Sequence, residues 1–272
     1  GLYLAFAADA FPAVPDAPTK DECELALQKL ERPFRAFRFA TPAGSSVPLA
    51  AILTGLARTA LRTAPMFVVD APVAGSGKSI LLETIGLIVL GHTIPSLSHG
   101  KEDSVDEKRL SSALMRGDRA ILIDNCDRPI GGDFLCSMIT QSRVESRVLS
   151  RSQMLVLGTD VFVLANGNNV AFAGDTARRS IVCRIDQRVE RPDESKFGFD
   201  PRDEARADRA ALVVAERTPR ERTLLHTPHL VFSAASFASR AREPSLEPRR
   251  GIYQHATFAY ARLISGQFGW RR

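Results

Sequence analysis

The sequence has no apolar run approaching the roughly eighteen residues that a membrane-spanning helix needs, so no membrane span is expected. Cysteine is scarce: Cys23, Cys126, Cys136 and Cys183 are widely spaced, with no C-x-x-C pair. That spacing argues against a disulfide framework or a thiolate zinc site and for thiols in a reducing, cytoplasmic setting. Histidine gives one near-pair, His226 and His229, with no carboxylate or thiol beside it, so no metal site is expected there. There are no internal repeats. The opening "GLYLAFAADAFPAV" lacks a basic segment and a clear cleavage site, so this stretch is not expected to be a signal peptide. Beginning at Gly1, it reads as the cut end of a longer protein.

What is present is an ordinary globular composition: 272 residues, 44% apolar and 25% charged. Basic and acidic side chains balance from Gly1 to Glu190, so the whole excess of +5 lies from Arg191 onward. A basic terminal region permits contact with nucleic acid, and a solvated arginine-rich surface accounts for the charge equally well.

Three regions follow from the patterning. Residues 1–64 read as helical, with a capping box from Thr19 to Glu22 opening one helix and "SVPLAAILTGLARTALR" forming another. Residues 65–190 alternate short apolar runs with helical segments. Strands are expected at 66–70, 93–98, 120–124, 161–165 and 180–186, and helices at 78–90, 102–116 and 131–141. This alternation argues for an α/β layer on a mostly parallel sheet. Residues 191–272 offer one helix near 203–216 and otherwise no sustained period, so they read as an irregular C-terminal region.

The strand "MFVVD" runs into "APVAGSGKS", and the helix "ILLETIGLIVL" leaves it. In a phosphate-binding loop, backbone amides between a strand and a helix converge on phosphate, and glycines let the chain come close. Gly75, Ser76, Gly77, Lys78, Ser79 and Ile80 are the expected nucleotide contacts, with Lys78 on the phosphates and the Ser79 hydroxyl on Mg2+. Pro72 stands where such motifs usually open with glycine, a position whose fixed φ a proline tolerates.

A second carboxylate is expected at the end of a neighbouring strand, and "RAILIDN" supplies Asp124 to orient Mg2+. Asn125 follows it. An amide can orient a water but cannot take its proton, which suggests slow turnover; Asp127 is an alternative carboxylate. In "VFVLANGNN", Asn166 or Asn168 fits a γ-phosphate sensor, with Asn168 preferred. Arg178, Arg179 and Arg184 in "GDTARRSIVCRID" are candidates for a guanidinium donated to a neighbouring subunit's site.

The order of these motifs resembles the AAA+ and superfamily 3 helicase class. In particular "FVVDAPVAGSGKSILLETI", "AILIDNCDRPIGG", "SRVLSRSQ", "FVLANGNNV" and "GDTARRSIVCRIDQRVERP" look like the ATPase domain of bacterial and phage DNA primase-helicase-like proteins of mobile elements. The resemblance covers roughly Gly1 to Pro201. It implies a P-loop NTPase fold of AAA+/ASCE type, with a five-stranded sheet in the order 5-1-4-3-2. It also implies ATP and Mg2+ as cofactors, a homo-oligomeric ring, single-stranded DNA as partner, and an N-terminal primase module or primase partner. "SRVLSRSQMLVLG" then reads as a hairpin with strands near Val148–Leu149 and Met154–Leu157. Arg151 at its tip, with Arg147 nearby, is the expected DNA contact; a role for Arg151 at ATP in trans and a purely structural hairpin remain open. From Arg217 to Arg272 the sequence lacks the helical periodicity and core face expected of the helical bundle that the resemblance implies.

The leading expectation is therefore an ATP-hydrolysing motor on DNA, such as a replicative helicase or primase-associated ATPase. The alternative is an ATP-dependent switch or assembly scaffold with little turnover. A small-molecule kinase on the same loop would leave the Asn-tipped strand without a task.

Overall fold

The computed structural model describes residues 11–13, 18–147, 153–186 and 198–215. Its first helix, α1 (Lys20–Glu31), opens on the expected capping box: Glu22 N–H donates to the Thr19 hydroxyl, while Thr19 N–H donates to the Glu22 carboxylate. A second helix, α2 (Val47–Ala57), is apolar almost all round and correspondingly buried.

The alternating segment follows, as β1 (Met66–Ala71), α3 (Lys78–Leu90), β2 (Ser96–Ser98), α4 (Asp103–Arg116), β3 (Ala120–Cys126) and α5 (Asp133–Thr140). Then come β4 (Arg143–Arg147), β5 (Met154–Gly158), β6 (Phe162–Asn168), β7 (Ser180–Arg184) and α6 (Pro201–Ala207). Five strands form one parallel sheet in the order β2-β3-β6-β1-β7. With every strand numbered in chain order this is not 5-1-4-3-2. The hairpin strands β4 and β5 take two places in the numbering while pairing only with each other, outside the sheet.

Period-two alternation sends successive side chains to opposite faces. Phe67 and Val69 of β1 enter one core with Leu30 of α1, Ile52 of α2, Ile85 and Ile88 of α3, and Leu212. Met66 and Val68 enter the other, with Leu110 of α4 and Leu135 and Met138 of α5. Burial on both faces explains why these strands read as unbroken apolar runs. The N-terminal helices share the first core with the sheet, as do Ala205 of α6, Leu212 and Ala215. Asp200 caps α6, and Arg202 of α6 pairs with Glu83 of α3 at 2.9 Å. Glu204 is held by Arg32 and Arg35 from the turn after α1. Burial raises its pKa, but the hydrogen bonds and charges of the two arginines more than offset that and leave it below the ordinary value. No helix among the described residues is long and apolar enough to cross a membrane.

Several boundaries differ from the sequence expectation. Only Ser96–Ser98 of 93–98 is strand, and the strand expected at 161–165 begins one residue later and runs on through Asn168. The strand expected at 180–186 ends at Arg184, beyond which Ile185 forms an isolated bridge to Phe39 and its N–H donates to Asp70 O at 2.9 Å. The helix expected at 203–216 starts earlier because Pro201, behind the Asp200 cap, fits a first helical position. It turns at Asp208 before residues 209–215. In the hairpin, β4 covers Arg143–Arg147 with Val144 and Ser146 buried on its inner face, while the strand expected near Val148–Leu149 lies outside the described residues.

Candidate functional site

Beyond β1 the chain turns through Pro72–Ser76 into α3, and two glycines there have left-handed backbones, Gly75 at φ 74° and Gly77 at φ 87°. A Cβ would be strained at either, which is the physical reason for the two glycines. Ser76 is buried and its hydroxyl donates to Val73 O at 2.6 Å, closing the loop on itself. Lys78 and Ser79 open the helix, Ser79 exposed and Lys78 half-buried, with Ile80 behind them partly buried against the first core.

The Lys78 ammonium donates to Asn168 Oδ1 at 2.6 Å and to Val73 O at 3.3 Å. Burial pulls its pKa below the ordinary lysine value, opposed by the nearby charges of Asp70 and Asp124. Its hydrogen-bond partners are thus neutral oxygens, on a cation that has already lost part of its water. Loop, lysine and the tip of β6 come together as the sequence suggested, and Asn168 rather than Asn166 touches Lys78.

Asn166 has a different task. It is buried, its Nδ2 donates to Asp124 Oδ1 at 2.7 Å, and its Oδ1 accepts from Asn125 N–H at 2.9 Å. Asn166 therefore fixes the end of β3 from the adjacent strand. The β3–β6 register shifts between Ile123 and Cys126, and Asn125 takes a left-handed backbone at φ 55°. That bulge takes Asp124, which is half-buried, out of the regular pairing with β6 while it stays opposite Ser98 of β2. The Asn125 side chain is exposed, as is Asp127.

The arginine candidates separate. Arg178 and Arg179 both pair with Asp175, each at 3.0 Å, on the turn between β6 and β7, and neither is brought to Lys78. Arg184 pairs with Asp70 and donates to Asn169 Oδ1 at 2.9 Å, within its own chain. Arg147 is exposed on β4, opposite Met154 in the hairpin, and Arg151 lies outside the described residues. Sequence reasoning did not anticipate Asp70 and Asn169; a carboxylate ending the strand that enters a glycine-rich loop was the available signal.

A further polar cluster lies beside Asp124. His99 N–H donates to Asp124 O at 3.1 Å, and His99 Nε2 is 3.3 Å from Asp106 Oδ2. Arg128 donates to Asp106 at 2.5 Å and to Asp103 at 2.7 Å. His99 Nδ1 is buried with no hydrogen-bond partner among the described residues. Desolvation lowers the His99 pKa from 6.5, Arg128 adds to this, and Asp106, Asp127 and Asp103 only partly oppose it. The unfolded chain then takes up this proton at a higher pH than the folded chain. Stability linked to His99 is complete above the unfolded value and is lost as pH falls below it, from about 6.5 downward. Thermal unfolding scans between about pH 7 and pH 5 are expected to show a falling melting temperature in the wild type and a flatter profile in His99→Gln. Equal slopes for the two proteins would show that another group is responsible.

Among the described residues no group of three or more His, Cys, Asp or Glu side chains is placed to hold a metal ion by itself. Cys126 and Cys183 are buried free thiols; burial pushes Cys126 up to about 12 and Cys183 upward as well, so both stay protonated.

Fold and site define an α/β protein with a five-stranded parallel sheet flanked by helices, and a glycine-rich loop and half-buried lysine between an interior strand and its helix. No protein-family model matches the chain, and no curated protein matches it in sequence. Among solved structures, the chain is similar to the A form apo structure of the NrS-1 C-terminal region, with a TM-score of 0.47 and 12% identity over 97% of this chain and 70% of that one. It is also similar to the X-ray structure of JCV helicase, with a TM-score of 0.39 and 9% identity over 81% of this chain and 72% of that one. At that distance neither likeness assigns an activity to this chain.

Proposed function

We propose that the chain binds ATP with Mg2+ at the loop Gly75–Ile80 and hydrolyses it to drive movement on single-stranded DNA. The observation that carries this reading is the Lys78 ammonium, part-desolvated and, among the described residues, hydrogen-bonded only to neutral oxygens at the mouth of a loop with two left-handed glycines. A polyanion is the partner such a site lacks, and a phosphate chain suits both the loop and the helix terminus behind it.

The donor set fits a nucleotide and its metal. The Ser79 hydroxyl and the Asp124 carboxylate would hold Mg2+, and Lys78 would hold the phosphates. When bound, the nucleotide supplies the transferable phosphoryl group and the metal neutralises charge on it. The chain's own residues position the rest. Lys78 exchanges Asn168 Oδ1 for phosphate oxygen, which releases the Asn168 amide to orient a water. Asn166 keeps Asp124 in place by its bond of 2.7 Å. Position 125 offers no carboxylate, so proton removal from the water falls to solvent or to Asp127, and turnover is slow. That same observation supports the second reading, a nucleotide-dependent switch with little hydrolysis.

The motor reading includes a ring of like subunits, with Arg178 or Arg179 given to a neighbour's site after parting from Asp175, and a primase module or partner. The hairpin β4–β5, with exposed Arg143 and Arg147, is the proposed DNA contact. Steady-state ATP hydrolysis with and without single-stranded DNA tests the proposal. DNA is expected to raise the rate several-fold. Nucleotide binding without hydrolysis in either condition would exclude the motor and leave the switch.

A further inference from the structure

The tip of β6 is tied to the entrance of the phosphate loop by more than the sheet ladder. Asn169 N–H donates to Ala71 O at 3.0 Å, Asn169 Nδ2 to Pro72 O at 3.1 Å, and Val170 N–H to Asp70 Oδ1 at 2.9 Å. Pro72 has no N–H, so its carbonyl is the one backbone group through which it can be held. Asp70 is buried, and its second carboxylate oxygen is taken by Arg184. The other amino group of that guanidinium reaches Asn169 Oδ1 at 2.9 Å. One arginine thus bridges β7, β1 and the exit of β6.

Backbone pairing between β1 and β7 already sets Asp70 opposite Arg184, so the side-chain bridge is not needed to form the sheet. What it holds is local. Asn169 has φ 50°, a left-handed conformation that asparagine adopts more readily than other residues with a Cβ and that its surroundings hold here. The enforcing contacts are those to Ala71, Pro72 and Arg184. The residue immediately before it is Asn168, whose Oδ1 accepts from Lys78.

We infer that Asp70, Arg184 and Asn169 are a positioning brace: acting within one subunit, they clamp the tip of β6 to the phosphate loop so that Asn168 is held at the γ-phosphate position. Arg184 is thereby removed from the candidates for a guanidinium given to a neighbour. The functional half of this inference rests on the nucleotide reading above; the mechanical half does not.

The test uses the full chain as wild type, Arg184→Ala and Arg184→Lys. Hydrogen exchange without nucleotide reads the clamp directly. Arg184→Ala is expected to speed exchange in 70–79 and 166–172 together, leaving α5 unchanged, with Arg184→Lys intermediate. Unchanged exchange in both segments overturns the brace, whether or not the protein hydrolyses ATP. Hydrolysis reads its consequence: kcat for Arg184→Ala is expected to fall about tenfold while ATP affinity stays within about threefold, the signature of misplacement rather than lost binding. Mixing Arg184→Ala with excess Lys78→Ala distinguishes a brace from a donated guanidinium. The second variant brings an intact Arg184 but a crippled loop, so a donated arginine would restore turnover, and such rescue overturns the inference. A wild type that neither binds nor hydrolyses ATP sinks the proposed function, while the exchange measurement still decides the clamp.

Discussion

Lys78→Ala is expected to abolish nucleotide turnover without destabilising the protein. In the resting site the ammonium is half-buried, with Asn168 Oδ1 and Val73 O as its hydrogen-bond partners and Asp70 and Asp124 close enough to hold its charge. Two neutral acceptors recover only part of the hydration a cation gives up, so the folded state gains little from this side chain. Removing it should change stability by no more than about 1 kcal/mol, in either direction. Turnover is different, because in the proposed nucleotide complex the lysine's charge would be directed at phosphate oxygens whose charge redistributes during transfer. Removing one such preorganised donor typically costs a factor on the order of 100 to 1,000 in kcat. The pair of measurements is a thermal melt and a phosphate-release assay on the same preparation. A mutant that melts with the wild type but releases phosphate about 100- to 1,000-fold more slowly is the expected result. Full activity in the mutant would remove Lys78 from the chemistry and, with it, the nucleotide reading of the loop.

The elements nearest the site were the most legible in the sequence. The helix expected at 78–90 is Lys78–Leu90, because left-handed glycines stop it at both ends, Gly77 before and Gly91 after. Unbroken apolar runs located β1 and β3, since both of their faces are buried. The signal failed where a residue's local preference and its tertiary role diverge. "NGN" in Asn166–Asn168 looks like a turn by composition, yet it is strand: Asn166 is needed to bond Asp124, and Gly167 is needed for a close approach. The strand Arg143–Arg147 was not legible because it carries a single apolar side chain, Val144, and buries Ser146 as its second inward residue. Asp70 was invisible as a site neighbour for another reason. Its partners, Arg184 and the Val170 N–H, are distant in sequence and meet it only when β7 and β6 align beside β1.

Gly167→Ala is expected to be the most damaging small substitution in the sheet. Gly167 lies opposite Cys126 on β3 and Asp70 on β1. A Cβ there would run into the carbonyl oxygen of Cys126 and stand 2.8 Å from Val170 Cγ2. The oxygen belongs to the backbone of a central strand and cannot swing aside as a side chain would, so relief requires β3 and β6 to separate. The cost of such overpacking is about 3 kcal/mol. For a folded unit of roughly 200 residues that corresponds to a fall in melting temperature of about 10 °C. The separation would occur where Asn166 holds Asp124 and Asn125, so residual activity should fall even below the melting transition. Gly117→Ala supplies the contrast. Gly117 has φ 77° with nothing within 4 Å of an added Cβ, so it carries the conformational penalty alone. That penalty is about 1 kcal/mol, or roughly 3 °C. Matched thermal melts of the two variants separate steric collision from backbone strain. Equal shifts for both would mean that β3 and β6 yield readily at Gly167 and that the close approach does not fix the site.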